Sequence, residues 1–391
     1  MQFICQRDSF NRELGLVCRV IPAKPTHPIL ANILIEADAH RQKIALTAFD
    51  LSTAIRLELE AQVIDGGKIT LPGKLLSDTL SRLDGQEFML IVDEPNPQTE
   101  AQLAFIKGES SQATLESIKA EEYPSLPLIN SSKGCSLNLS IATLRKGLQG
   151  TLFAASTDET KQVLQGIHLS AAEAGIEFAS TDGHRLAVVN LSHQKEGTNG
   201  KVSKPKSLDL TILAQSLREL EKLMAGSEES ETITMRYDKS LVAFGLNGSQ
   251  FISRRLEGIY PQYRQLLPTQ FQREVKVEKK ALLSALEFVS VFSSAKQPLV
   301  CLSLDESEGT IKLKSESSGI GNAKQTVEAD IKGGSLDVAF NVKFLADALR
   351  VMPSPEVKLL LNENNTPAMV VPAGEESQLK CLVMPVMIVS S

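Results

Sequence analysis

Tryptophan is absent from this 391-residue chain, and aromatic residues make up only 5% of it. Recognition of single-stranded nucleic acid by base stacking needs aromatic platforms, so that class of function is disfavoured. Cysteine is also sparse: Cys5, Cys18, Cys135, Cys301 and Cys381 are odd in number, scattered, and show no C-x-x-C spacing. They read as small hydrophobes in a reducing compartment, neither a disulfide frame nor a metal site. No run approaches the roughly 18 apolar residues of a membrane span. The start, Met1-Gln2-Phe3-Ile4-Cys5-Gln6-Arg7, lacks the basic-then-apolar build of a signal peptide. No P-loop, G-x-S-x-G, H-E-x-x-H or G-x-G-x-x-G string is present. The expectation is a cytoplasmic, non-enzymatic chain with no membrane partner, metal or cofactor.

What the chain does have is repetition. One pattern occurs three times at a spacing of about 130 residues. Phe3-Ile4-Cys5 precedes an apolar-periodic run from Phe10 to Val20; Leu137-Asn138-Leu139 precedes Ile141 to Phe153; Val275-Lys276-Val277 precedes Ala281 to Phe292. Each is a short alternating strand feeding a helix. A second strand–helix unit also recurs: Lys68–Leu71 into 73–83, Leu208–Leu210 into 212–224, and Leu336–Phe340 into 342–352. Gly85 and Gly226 fall where a helix end favours a left-handed residue, and Pro353 where a helix cannot continue. Strand pairs lie between the helical units, for example Ile33–Glu36 with Lys43–Thr47 and Leu164–Ser170 with Ile176–Ser180. Each repeat then carries roughly eight strands and two helices, an α+β layout with helices on one face of antiparallel sheets. The expected domains are residues 1–130, 131–268 and 269–391. Tyr-Pro joints follow the first two, Tyr123-Pro124 and Tyr260-Pro261, where proline suits an extended connector.

A net charge of −6 argues against a simple nucleic-acid binder. Its distribution is more permissive. The segments read as helical or flanking helices carry Lys24, Arg82, Arg145, Lys146, Lys161, Arg218, Lys222, Lys279 and Lys280, while many acids sit in loops and strands. If the helices share one face, that face is basic; equally, Lys and Arg are good helix formers on solvated surfaces.

Thr181-Asp182-Gly183-His184-Arg185-Leu186-Ala187 is the most distinctive local string. Asp-Gly between two strand-like runs signals a tight turn. A catalytic reading would use His184, with Asp182 as orienter and Ser180 or Thr181 as nucleophile. Neighbours on a hairpin alternate faces, however, so a triad cannot assemble from these residues alone. A structural turn and a recognition surface remain open.

This string, the threefold repeat, Lys24-Pro25-Thr26-His27-Pro28-Ile29-Leu30, Tyr260-Pro261-Gln262-Tyr263-Arg264, Phe340-Asn341-Val342 and Val383-Met384-Pro385 together resemble the bacterial DNA polymerase III beta subunit, the sliding clamp family. The resemblance spans the whole chain. It implies a processivity factor of DNA replication: a head-to-tail homodimer whose six domains close a ring around double-stranded DNA. Helices would line the hole, with the nine basic residues named above facing DNA. Phosphate contacts carry no sequence information, so such a ring can slide.

The resemblance also implies a pocket between the second and third domains. It would take short peptides from the replicative polymerase, the clamp loader and other partners. Carried over by position, its lining is Leu164, Thr181, Gly183, His184, Arg185, Leu186, Pro261, Leu266, Asn341, Phe344, Leu382, Met384, Pro385 and Val386, with Arg185 and Asn341 as polar anchors. Such a set of Leu, Met, Phe and Pro makes an adaptable apolar cleft. The implied dimer interface sets Val291 and Phe292 against the region near Leu115. Two departures bear on peptide preference. Gln265 and Gln297 stand where family members can carry a basic and an aromatic residue, and the ending is Met384-Pro385-Val386-Met387-Ile388-Val389-Ser390-Ser391. The competing readings are a hydrolase or transferase centred on His184, and a repeat scaffold that binds proteins but never DNA.

Overall fold

The computed structural model describes residues 1–93, 102–129, 134–171, 175–192, 208–294, 298–317, 321–374 and 378–387. Gln297 and residues 388–391 fall outside them. The first repeat runs β1 (Gln2–Gln6), α1 (Arg7–Val17), β2 (Asn32–Asp38), β3 (Lys43–Phe49), β4 (Thr53–Glu60), β5 (Gln62–Asp65), β6 (Gly67–Pro72), α2 (Gly73–Arg82), β7 (Glu87–Val92), β8 (Gln102–Lys107) and β9 (Gln112–Ser117). The second comprises β10 (Cys135–Ser140), α3 (Ile141–Thr151), β11 (Gly166–Ala171), β12 (Gly175–Thr181), β13 (Arg185–Ser192), β14 (Asp209–Leu213), α4 (Ala214–Leu223), β15 (Thr232–Tyr237), β16 (Leu241–Leu246) and β17 (Ser249–Arg254). The third follows with β18 (Arg273–Glu278), α5 (Lys279–Ser290), β19 (Leu299–Asp305), β20 (Thr310–Ser317), β21 (Gly321–Lys332), β22 (Leu336–Asn341), α6 (Val342–Arg350), β23 (Glu356–Leu361), β24 (Ala368–Pro372) and β25 (Leu379–Val383). The α+β expectation of two helices per repeat is met.

The helices form where apolar residues recur at helical spacing. In α1, Phe10, Leu14 and Val17 are fully buried, and the ring of Phe10 packs against Phe3 and Phe88 with centroids 6.2 and 5.0 Å away. Burying side chains of this size contributes about 1.5–3 kcal/mol each. The helix breaks at Cys18–Val20, a 3-10 turn, so the apolar run to Val20 continues beyond the α-helix proper. Helix α2 stops at Arg82 because Leu83 is extended, and Gly85 follows with φ of +83°. Gly226 differs from expectation. It closes a 3-10 turn, Met224–Gly226, without a left-handed φ.

Two compact units are present, Met1–Ala142 with Gln215–Arg255, and Thr143–Ala214 with Leu256–Ser391. Each is joined by strand pairing across a repeat boundary. In the first unit β17 adds antiparallel to β4, with Phe251 opposite Ile55 and Ile252 opposite Ala54. That ladder completes an eight-stranded sheet, β10-β15-β16-β17-β4-β3-β2-β6, beside a five-stranded sheet, β5-β1-β7-β8-β9. In the second unit β25 adds antiparallel to β13, with Leu382 opposite Leu186 and Val383 opposite Arg185. This gives a twelve-stranded sheet, β14-β11-β12-β13-β25-β24-β23-β18-β21-β20-β19-β22. The domains expected from repetition are therefore covalent repeats, and the middle one contributes strands to the eight-stranded and the twelve-stranded sheets.

Candidate partner-binding site

The site is built around the turn between β12 and β13. Gly183 has φ of +94°, a left-handed conformation that a Cβ would strain. Asp182 organises the turn: its Oδ1 accepts from the amides of His184 (2.9 Å) and Arg185 (3.0 Å). Thr181 does the same from the other side, accepting from the Gly183 amide (3.1 Å) and donating to the Arg185 carbonyl (2.6 Å). These are Asx- and ST-turn bonds of the kind short polar side chains make to nearby backbone. Lys161 braces the loop by donating to the Asp182 carbonyl at 3.0 Å. The amide of Thr181 donates to the Tyr260 hydroxyl at 3.0 Å, and the Tyr260 ring stacks on His168 with centroids 4.8 Å apart. Burial pushes the Tyr260 phenol well above its ordinary pKa, so it stays neutral.

Beneath the turn the β13–β25 ladder makes an apolar floor. Ala179, Leu186, Val188, Tyr260, Tyr263 and Leu382 are buried together, and Val163, Leu164 and Leu267 pack against them half-buried. Tyr263 is fixed by its hydroxyl, which donates to the buried carboxylate of Glu177 at 2.6 Å. Above the floor the surface stays apolar and open: Leu266 is 60% and Met384 37% exposed. The terminal segment is held as an added edge, with the Met384 amide donating to the His184 carbonyl (2.9 Å) and the Val386 amide to the Ala339 carbonyl (2.8 Å). Pro385 bridges to Phe340.

A second half of the site is aromatic and charged. The Arg185 guanidinium lies between the rings of Phe153 and Phe344, 5.3 and 4.6 Å from their centroids. Its Nε donates to Asp182 at 3.0 Å and its Nη1 to Asp347 at 2.7 Å. His184 also stacks on Phe344, with ring centroids 6.0 Å apart. Asn341 caps α6, its side chain accepting from the amides of Lys343 and Phe344.

The fourteen lining residues inferred from sequence all lie in one unit, on the turn, the β13–β25 floor, the 260s segment, the start of α6 and the terminal segment. Their roles differ in detail. Leu164 belongs to a 3-10 turn, Gln162–Gln165, ahead of β11. Pro261 and Leu266 are exposed and flank Tyr263 along the chain. Arg185 and Asn341 are not idle anchors, because one is committed to two carboxylates and the other to backbone amides. Sequence reasoning left out Val163, Tyr260, Tyr263, Leu267, Phe153 and Asp347. The repeated Tyr-Pro joint was the available signal for the tyrosines. Nothing local marks Phe153 or Asp347, whose part depends on the strand that joins two repeats.

Among the described residues no triad assembles on His184. Asp182 is spent on two amides and Arg185, and the Ser180 hydroxyl donates to the Thr151 carbonyl at 2.5 Å, so neither serves the His184 ring. Among the described residues no group of three or more His, Cys, Asp or Glu could hold a metal ion, and no helix is long and apolar enough to cross a membrane.

The basic residues are placed unevenly. Arg82, Arg145, Lys146, Arg218, Lys222, Lys279 and Lys280 lie on helices, but Lys24 sits in a loop and Lys161 just ahead of a 3-10 turn. Several are already engaged. Lys222 pairs with Glu219 at 3.0 Å, Lys279 donates to the Met352 carbonyl at 2.7 Å, and Arg82 lies 3.5 Å from Asp78. Lys24, Lys146 and Lys280 are exposed. Val291 is exposed, Phe292 half-buried, and Leu115 buried on β9, an edge strand of its sheet.

Three family models cover nearly the whole chain: the N-terminal, central and C-terminal domains of the DNA polymerase III beta subunit match residues 1–127, 138–262 and 264–387. The chain is 40% identical over 394 aligned residues to the beta sliding clamp of Synechocystis sp., covering all of both proteins. The chain belongs to the beta sliding clamp family. A second clamp, from Synechococcus elongatus, is 38% identical with 99% of each protein covered. The DNA polymerase sliding clamp of Bacillus subtilis shares the fold, with a TM-score of 0.88 at 24% identity and full coverage of both chains. The three-domain clamp fold follows, and with it the function: a sliding clamp is a non-catalytic processivity factor of DNA replication, working with DNA and polymerase. The hydrolase reading of His184 is thereby closed.

Proposed function

We propose that two copies of this clamp join head to tail into a ring of six repeats around double-stranded DNA. The repeats are 1–130, 131–268 and 269–391. The observation that carries this reading is the way repeats join within the chain. The last strand of each following repeat adds to the edge of the one before it, β17 to β4 and β25 to β13. The same rule leaves two edges over. β9 ends its five-stranded sheet, and residues 321–328 of β21 pair on one side only, with β20, among the described residues. Strand addition of β9 to β21 of a second copy satisfies both edges, and made reciprocally between two copies it leaves neither edge open. Phe292 lies against Gly321 at that edge, Val291 precedes it in the chain, and β9 carries Leu115.

The exposed Lys24, Lys146 and Lys280 would meet phosphates, with Arg145, Arg218 and the partly engaged Arg82, Lys161, Lys222 and Lys279 as a second tier. In a bacterial cell this places the clamp on DNA in the cytoplasm. The apolar floor of Leu164, Leu186 and Leu382, open through Leu266 and Met384, would dock short peptides of the replicative polymerase, the clamp loader and other partners. Because Arg185 is held by Asp182 and Asp347, affinity would come mainly from apolar side chains entering the floor.

Retention on DNA tests the ring. After loading onto a nicked circle, the clamp should stay bound and then run off once the circle is linearised. Equal loss from both forms would refute encirclement. Met384→Ala with Leu186→Ala should weaken a polymerase tail peptide at least tenfold while the dimer persists; unchanged affinity would refute the pocket.

A further inference from the structure

The three repeats can be aligned by their buried residues. Phe10, Leu144 and Leu282 correspond in the first helix of each repeat, as do Leu14, Leu148 and Leu286. In the second helix Leu76, Leu217 and Leu345 correspond, and Leu83, Met224 and Met352 close it. The hairpin ladders Ile44–Leu59, Ile176–Leu191 and Ile311–Val327 align the strands. Four positions then recur at every junction between repeats. Arg19, Phe153 and Val291 are equivalent, as are Thr53, Arg185 and Gly321. On the facing helix Leu75, Ser216 and Phe344 are equivalent, as are Asp78, Glu219 and Asp347.

Both junctions within the chain use these positions in one plan. At the first, Thr53 Oγ1 meets Ser216 Oγ at 2.7 Å, and Arg19 donates to Glu219 at 2.6 Å. At the second, Arg185 stacks on Phe153 and Phe344 and donates to Asp347 at 2.7 Å. In each, an arginine of one repeat clasps the carboxylate at the sixth residue of the next repeat's second helix.

The unmatched halves of this plan lie on the surface. On α2, Leu75 is 52% exposed, and among the described residues Asp78 is bridged to Arg82 of its own helix, at 3.5 Å. On the third repeat Val291 is 70% and Phe288 50% exposed, and a Cβ on Gly321 would lie 3.7 Å from the Phe292 ring. Apolar exposure on both halves, at positions filled elsewhere by a junction partner, fits a second copy of this chain as occupant. We infer that, in the dimer proposed above, Leu75 and Asp78 of α2 pack against Val291 and Phe292 of the second copy, and that this junction lacks the arginine clasp of the other two. Valine replaces Arg19, and glycine replaces Arg185. The interchain junction then relies on strand addition and apolar contact at this point, and it is the one that can open without breaking an arginine–carboxylate pair.

The test uses the full chain and sedimentation equilibrium. Leu75→Glu, an exposed helical position where Glu is a good helix former, should raise the dimer dissociation constant at least tenfold while helix content holds. A wild-type dimer unaffected within twofold by Leu75→Glu overturns the inference but leaves the dimer standing. A wild type that is monomeric at micromolar concentration overturns the dimer itself, and the inference with it. Val291→Arg supplies the missing clasp: it should tighten the dimer severalfold relative to Val291→Gln, and Asp78→Asn should abolish that gain. A gain that survives Asp78→Asn overturns the clasp assignment.

Discussion

The hydroxyl of Tyr260 offers the sharpest single-atom test of how the turn of the proposed docking site is held. Tyr260→Phe keeps the ring on His168 and removes only the acceptor of the Thr181 amide, a 3.0 Å bond in a buried setting. An N–H left buried without a partner costs about 1–3 kcal/mol. Thr181 is the residue that fixes Gly183 and Arg185, so a share of that cost appears as a looser turn. If about 1 kcal/mol is felt by a bound peptide, its affinity falls about fivefold, since 1.4 kcal/mol is tenfold. The natural control is Tyr123, whose hydroxyl instead donates to the Thr47 carbonyl at 3.3 Å, in the first unit. Tyr123→Phe removes bonds to the Thr47 carbonyl and to the Phe49 backbone, and no part of the site depends on either. Hydrogen exchange at the Thr181 amide gives the direct reading, and a peptide titration the functional one. Faster exchange and weaker binding in Tyr260→Phe, with neither in Tyr123→Phe, are the expected results. Unchanged Thr181 protection in Tyr260→Phe would refute the reasoning at its first step.

Asn341→Ala should destabilise α6 by about 1 kcal/mol through loss of its N-cap, and Asn341→Asp should restore most of it; a chemical denaturation series checks both. Stability of the first unit should fall in acid. Burial alone would raise the pKa of Glu36, but its bonds to Lys68 and Arg56 outweigh burial and hold it below the usual carboxylate range. A depressed folded pKa means the contribution is complete above the unfolded value and lost as pH falls through the folded one. Glu36→Gln should therefore flatten the pH dependence of unfolding on the acid side and leave it unchanged above neutrality.

Much of this was legible in the order of residues. Leucine periodicity placed α2 and α6 to within two residues at each end, because an amphipathic helix must present its apolar side chains at that spacing whatever it packs against. The Asp-Gly step located the turn at Gly183 for a similarly local reason, the need for a left-handed backbone. Leu164 shows the limit. It reads as the start of a strand, yet it lies in a 3-10 turn, since a short apolar run carries no mark of its backbone conformation. The charges show it again: Lys161 and Lys279 look like free cations in sequence, and each is spent on a carbonyl that only the fold brings near.

Sequence by itself determined the three repeats, their helices, the Asp-Gly turn at Gly183, and membership of the clamp family. Tertiary structure decided how the repeats join. The ladders β17–β4 and β25–β13 are made by backbone groups that every residue but proline possesses, so no side-chain pattern announces them. Those ladders bring Phe153, Arg185 and Asp347 together, and bury Leu186 against Leu382. Leu75 and Val291, at the equivalent positions in the first and third repeats, stay exposed.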